Sequence, residues 1–136
     1  MPSRVVVRAE EAVVVATMRV LIADDNDLVR SALRELIESD ERFRVVALAD
    51  SADTAVVEAR KTQPDLAVVD VRMPGGGPKA VRGILEVSAG TRVLACSAYD
   101  DAFSRDEMAA SGVVAYLVKG RDDVIVALQR VCGLID

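Results

Sequence analysis

The chain has no histidine and no tryptophan among its 136 residues. Without histidine there is no Ser-His-Asp or Cys-His relay, no imidazole general base and none of the common zinc sites. Aromatic residues make up only 3%, too few for base-stacking platforms or aromatic cages. The two cysteines, Cys96 and Cys132, form no C-x-x-C pair. Each lies in an apolar context and reads as a reduced core side chain, which fits a cytoplasmic location. Basic residues are outnumbered 17 to 22, and a net charge of −5 is repelled by phosphate backbones, so no nucleic-acid contact by this chain is expected. Near the N-terminus the longest apolar run is Ala12–Ala16, preceded by Glu10 and Glu11. That is too short for a signal core or a membrane span, and no membrane contact is expected. The chemistry left is that of carboxylate, lysine, hydroxyl and backbone.

What is present suffices for one well-cored domain: 51% hydrophobic and 29% charged residues. Residues 1–17 read as an extension, poorly ordered unless Val5–Val7 and Ala12–Ala16 pack as an extra element. Residues 18–136 read as the domain, and here short apolar runs alternate with helical patterns. Arg19–Ala23, Phe43–Ala49, Asp65–Val69, Thr91–Cys96 and Val113–Val118 are strands. The first helix has Leu28, Val29, Ala32, Leu33, Leu36 and Ile37 at helical spacing, with Asp27 placed to cap it. Asp50 or Ser51 starts the second, and Pro78 opens the third. Asp100 or Asp101 starts the fourth, which Gly112 closes, and Asp122 or Asp123 starts the last. Five apolar strands, each followed by a helix, imply a doubly wound five-stranded parallel α/β sheet with helices on both faces.

Such sheets place their sites outside the carboxyl ends of the strands. The residues there are Asp24 and Asp25, Asp70, Ser97 and Lys119. Singly, each is ordinary: a cap, a turn residue, a surface charge. Together they put every polar side chain suited to chemistry on one edge of one sheet. Three carboxylates at close quarters repel, and one would take up a proton unless a cation relieved them. Hard oxygen ligands of this kind suit Mg2+, which keeps several waters. A carboxylate beside magnesium, an ammonium and a hydroxyl is arranged to accept a phosphoryl group, with Asp70 the most accessible because a Gly-rich loop follows it. That loop, Gly75–Gly77, lacks the GK[ST] of a P-loop.

The motifs VLIADDN at 20–26, VVDVRMP at 68–74, CSA at 96–98 and YLVKG at 116–120 resemble, in this order, the receiver domain of two-component response regulators. The resemblance covers residues 18–136 and is nearest to the subfamily that usually carries a helix-turn-helix output domain. It implies a flavodoxin-like (βα)5 fold. It also implies a phosphorylation-switched signalling domain rather than an enzyme, with Asp70 taking phosphoryl from a histidine kinase or phosphotransfer protein. Mg2+ would be held by Asp25, Asp70 and the backbone carbonyl of Arg72, with Asp24 acting through water. Lys119 would pair with the phosphoryl group, Ser97 would swing toward it, and Ala98 would leave it room. Tyr116 would rotate inward on activation. Arg72 and Tyr99 occupy the positions that tune the lifetime of the acyl phosphate. A homodimer or output partner is expected on the face formed by about residues 102–135. Two departures stand out: Gly120 follows the lysine where proline is common, so a trans bond is expected, and the GGGP loop is unusual. A degenerate receiver acting only as an interaction module is the alternative; an aspartyl-phosphate phosphatase would want a second Asp where Arg72 stands.

Overall fold

The computed structural model describes residues 6–9, 12–15 and 17–136. Strands β1 (Val6–Ala9) and β2 (Ala12–Val15) pair antiparallel in a sheet of their own. The poorly ordered extension expected over residues 1–17 falls on this stretch. Residues 1–5, 10, 11 and 16, and the side chains of both strands, lie outside the described part.

Strands and helices then alternate. The order is β3 (Met18–Ala23), α1 (Asp27–Glu38), β4 (Phe43–Ala49), α2 (Ala52–Thr62), β5 (Leu66–Val69) and α3 (Gly77–Val87). β6 (Arg92–Ser97), α4 (Ala102–Ser111), β7 (Ala115–Val118) and α5 (Val124–Val131) follow. The five strands pair in parallel in the order β4-β3-β5-β6-β7. The chain steps outward from β3 to β4, then back past β3 to β5, so strand order reverses between β3 and β5. The ends of those two strands carry Asp24 and Asp70, and a doubly wound sheet opens its crevice at that point.

Side chains alternate across the sheet. Val20 and Ile22 pack with Leu33 and Ile37 of α1 and Leu128 of α5. Leu21 and Ala23 pack with Ala55 of α2, Ile84 of α3 and Met108 of α4. The second layer is rich in alanine, and its helices come close together: a Cβ added at Gly83 of α3 would lie 2.4 Å from Val56 Cγ2 of α2. Cys96 is buried and Cys132 half-buried; both are free thiols, and burial pushes each up to about 11.

Helix starts follow the chemistry of N-caps. Ser51 and Thr54 form a capping box on α2, Asp101 caps α4 and Asp123 caps α5. Helix α1 differs from expectation. Its cap is Asn26, whose side chain accepts from the N–H groups of Leu28 and Val29, and Asp27 is instead the first helical residue. Its inner stripe is also narrower than the sequence suggests. Leu33 and Ile37 are buried, but Leu28 is 83% and Leu36 46% exposed. At ~100° per residue, Leu28 points about 140° away from Leu33, off the face that meets the sheet.

Candidate functional site

Asp24 follows β3 and is buried; Asp25, next in the chain, is exposed. Asp70 follows β5 and is buried, so Asp25 and not Asp70 is the most accessible of the three acids, contrary to expectation; the Asp70 N–H ties it to the neighbouring strand by donating to the Ala23 carbonyl (2.9 Å). One carboxylate oxygen from each of the three lies within 4.8 Å of the others. Lys119, at the end of β7, reaches into the cluster. Its Nζ lies 2.6 Å from Asp24 Oδ2 and 3.4 Å from Asp70 Oδ2. Burial works against the charge on Lys119, but the hydrogen bond to Asp24 and the charges of both aspartates outweigh it, and its pKa is raised. Burial pushes the Asp70 carboxyl up. Lys119 opposes that shift, the Asp24 charge adds to it, and the net direction is upward.

The acidic loop is held by its own backbone and neighbours. Asp24 Oδ1 accepts from the Asn26 N–H (2.9 Å), and Arg30 Nη1 donates to the Asp24 carbonyl (2.7 Å). Asp25 makes no side-chain hydrogen bond among the described residues, which leaves the cluster open on its exposed side. Three carboxylates against one ammonium leave an excess of negative charge. Hard oxygen donors open to solvent on one side fit magnesium, which retains water.

The glycine loop after Asp70 has a steric reason. Gly77 N–H donates to the Val71 carbonyl (2.9 Å). A Cβ at Gly77 would lie 2.5 Å from the Asp70 carbonyl oxygen and 2.7 Å from Val71 Cα. Gly75 and Gly76 both have φ near +90°, at 87° and 88°. The segment folds back on the residue that leads into it, and Pro78 then starts α3.

Ser97 ends β6 fully buried. Its Oγ accepts from the Tyr99 N–H (3.1 Å), and its carbonyl accepts from the Lys119 N–H (2.8 Å). Ala98 beside it is exposed. Arg72 donates its N–H toward Asp70 Oδ1 (3.4 Å), and its guanidinium lies 3.8 Å from the centroid of the Tyr99 ring, a cation–π contact beside Asp70. Tyr116 is half-buried. Its hydroxyl donates to the Tyr99 carbonyl (2.7 Å), and Arg105 covers its ring at 4.6 Å. The Lys119–Gly120 bond is trans, as expected without proline.

The structure brings the three aspartates together with Lys119, stacks Arg72 on Tyr99, and bonds the Tyr116 hydroxyl to the Tyr99 carbonyl. Sequence reasoning missed three groups. Asn26 and Arg30 brace the acidic loop. Asp100 is held by Arg105 of α4 and Arg121 after β7, which keep its carboxyl below the usual range. The signal for Asn26 was available: an Asn before an acidic first turn is as good a cap as Asp. Arg30 read only as a charge on the polar face of the first helix, and Asp100 only as a candidate helix start. No helix among the described residues is long and apolar enough to cross a membrane.

Residues 20–129 match the response regulator receiver domain. Response regulator GacA of Pseudomonas viridiflava is 33% identical over 104 residues, which is 76% of this chain and 49% of that protein. Response regulator UvrY of Escherichia coli (strain K12) is 29% identical over 117 residues, 84% of this chain and 54% of UvrY. The chain spans about half the length of these curated relatives. Among solved structures, a LuxR-family two-component response regulator from Aurantimonas sp. SI85-9A1 superposes with a TM-score of 0.81 at 30% identity, covering 87% of this chain and 86% of that one. The signal receiver domain of NarL from Mycobacterium tuberculosis gives 0.81 at 26% identity, covering 87% and 98%. The family match spans the ends of β3, β5 and β7, which build the acidic pocket, and the chain belongs to the receiver domains of two-component response regulators, the phosphorylation-switched modules of that signalling system.

Proposed function

We propose that Asp70 is the phosphoacceptor and takes a phosphoryl group from the phosphohistidine of a histidine kinase or phosphotransfer protein, in a Mg2+-dependent reaction. The observation that carries this reading is the convergence of Asp70, the acidic pair and Lys119 at the strand-order reversal. An Asp70 carboxylate oxygen forms the bond to phosphorus. The phosphorus–nitrogen bond of the donor breaks, and the imidazole nitrogen keeps the electron pair and takes up a proton from solvent. The donor histidine must come from another protein, since this chain has none.

Asp25, Asp70 and the backbone carbonyl of Arg72 would hold magnesium directly, with Asp24 acting through water. That division is supported by Asp24, whose two oxygens already accept from Asn26 and Lys119. When bound, the metal neutralises charge that develops on the phosphoryl oxygens. Lys119 then moves from Asp24 toward the phosphoryl group as a second counter-charge. Ser97 releases the Tyr99 N–H and donates its hydroxyl to a phosphoryl oxygen, in space that small Ala98 leaves free. Tyr116 turns inward as the Ser97 loop moves. Arg72 and Tyr99, stacked beside the acceptor, restrict the approach of water to the acyl phosphate and lengthen its life.

The domain works as a switch, not as an enzyme that turns over small substrates. Its output passes through the face of about residues 102–135 to a second copy or an output partner. The relatives are named response regulators, one a LuxR-family protein. That supports an output on transcription made by another domain or protein, with no nucleic-acid contact by this acidic chain. The working compartment is the cytoplasm. Acetyl phosphate with Mg2+ tests the assignment: mass spectrometry should find one added phosphoryl group on the wild type and none on Asp70→Asn. A modified Asp70→Asn protein places the acceptor elsewhere.

A further inference from the structure

We propose that Arg30 is a positioning residue for the metal-binding acids, acting through the backbone of the acidic pair. The proposal rests on the reading that Asp24, Asp25 and Asp70 hold magnesium. Arg30 stands in the first turn of α1 with its side chain 18% exposed. Nη1 donates to the Asp24 carbonyl at 2.7 Å, and Nη2 pairs with Asp27. One guanidinium fork thus ties the end of β3 to the start of α1 across the loop that carries both acids.

The carbonyl is the telling contact. Asp24 is already restrained by its N–H donating to Ala49 O (3.0 Å) and by its carboxylate accepting from Asn26 and Lys119. Asp25 has no such side-chain support among the described residues, so its direction is set by its backbone. The Asp24 C=O and the Asp25 N–H share one planar peptide unit. Holding that oxygen fixes the plane from which Asp25 departs, and so narrows the directions its carboxylate can take. Groups that orient a metal ligand without touching the metal commonly govern affinity.

The sign of the effect separates positioning from charge. As a cation beside a cation site, Arg30 repels Mg2+, so charge alone predicts that removing it tightens binding. Positioning predicts that removing it loosens binding. Calorimetric Mg2+ titration of the whole chain, beside thermal melts of the metal-free proteins, decides between them. Arg30→Met should weaken Mg2+ binding by about tenfold. Arg30→Lys keeps the charge and one donor but cannot fork to Asp24 and Asp27 together. It should lose less, and its loss cannot be electrostatic. Wild-type or tighter binding by Arg30→Met overturns the proposal. If Arg30→Met does not fold, Arg30→Lys decides alone, with weakened binding supporting the proposal and unchanged or tighter binding overturning it. A wild type that binds no Mg2+ overturns the metal reading itself, which is a different failure.

Discussion

Asp70 sits under opposed influences, and their balance has a thermodynamic consequence. Burial and the Asp24 charge raise its pKa more than Lys119 lowers it. The folded domain therefore keeps a proton on Asp70 at pH values where the unfolded chain has lost one. The contribution of Asp70 to stability is intact below the ordinary aspartate range and is lost as pH rises through the raised value. In metal-free buffer at pH 7, Asp70→Asn should melt higher than the wild type. At pH 3 the two should melt together. A variant that melts lower at pH 7 would contradict the assigned direction. The acids, Ser97 and Lys119 were legible in the sequence because each ends a continuous apolar run, so a strand assignment places it at once. Arg30 was not, because it acts on a neighbour's backbone. A long side chain bonded to a carbonyl six residues back leaves no trace in residue spacing.

The loop from β5 to α3 shows how an element can depend on a missing atom. With 2.5 Å between a Cβ on Gly77 and the Asp70 carbonyl oxygen, neither side can give without moving backbone. Gly77→Ala should destabilise the domain by about 1–3 kcal/mol, read as a lowered urea midpoint with an unchanged slope. It should also weaken Mg2+ binding, because the displaced carbonyl belongs to Asp70. Equal stability would mean that the loop re-forms without cost. The GGGP segment was recognisable as a loop, but which glycine is sterically required depends on the loop folding back against Val71, a tertiary fact. The strands were legible because apolar runs of that length bounded by polar residues have few alternatives. The stripe of α1 was read too wide. Periodicity gives the angles between Leu28, Leu33 and Leu36, but not which of those directions meets the sheet.

On the scale of the whole molecule, the switch must carry a change from one edge of the sheet to a surface. The contacts available run from Arg72 to Tyr99, from Tyr99 to Tyr116, and from Tyr116 to Arg105 and Asp100. Beryllium fluoride with Mg2+ should alter amide exchange across residues 102–135 of the wild type. Ser97→Ala should still accept phosphoryl on Asp70 but lose most of that change. An undiminished change in Ser97→Ala would remove the serine from the route. The strand order β4-β3-β5-β6-β7 makes such a route short, since β6 lies beside the strand that leads to Asp70 and β7 lies beside β6. The two faces of that sheet differ in grain. Toward α2 and α3 the filling mixes Ala52, Ala55, Ala59 and Ala80 with Val81 and Ile84, and Gly83 is pressed on Val56; toward α1 and α5 it is mainly large side chains, among them Leu33, Ile37, Phe43 and Leu128. A chain with this grain can drift in sequence along two unlike roads. On the alanine-rich side a methyl group gained at Gly83 meets Val56 already in place, so losses and exchanges among small residues are the easier changes along that seam. On the coarse-grained side bulk can be traded between neighbours, and the hazard is instead a hole left by an uncompensated loss. New surface contacts are thus easier to evolve over α1 and α5, where the layer beneath can be rebuilt, than over the tight seam between α2 and α3.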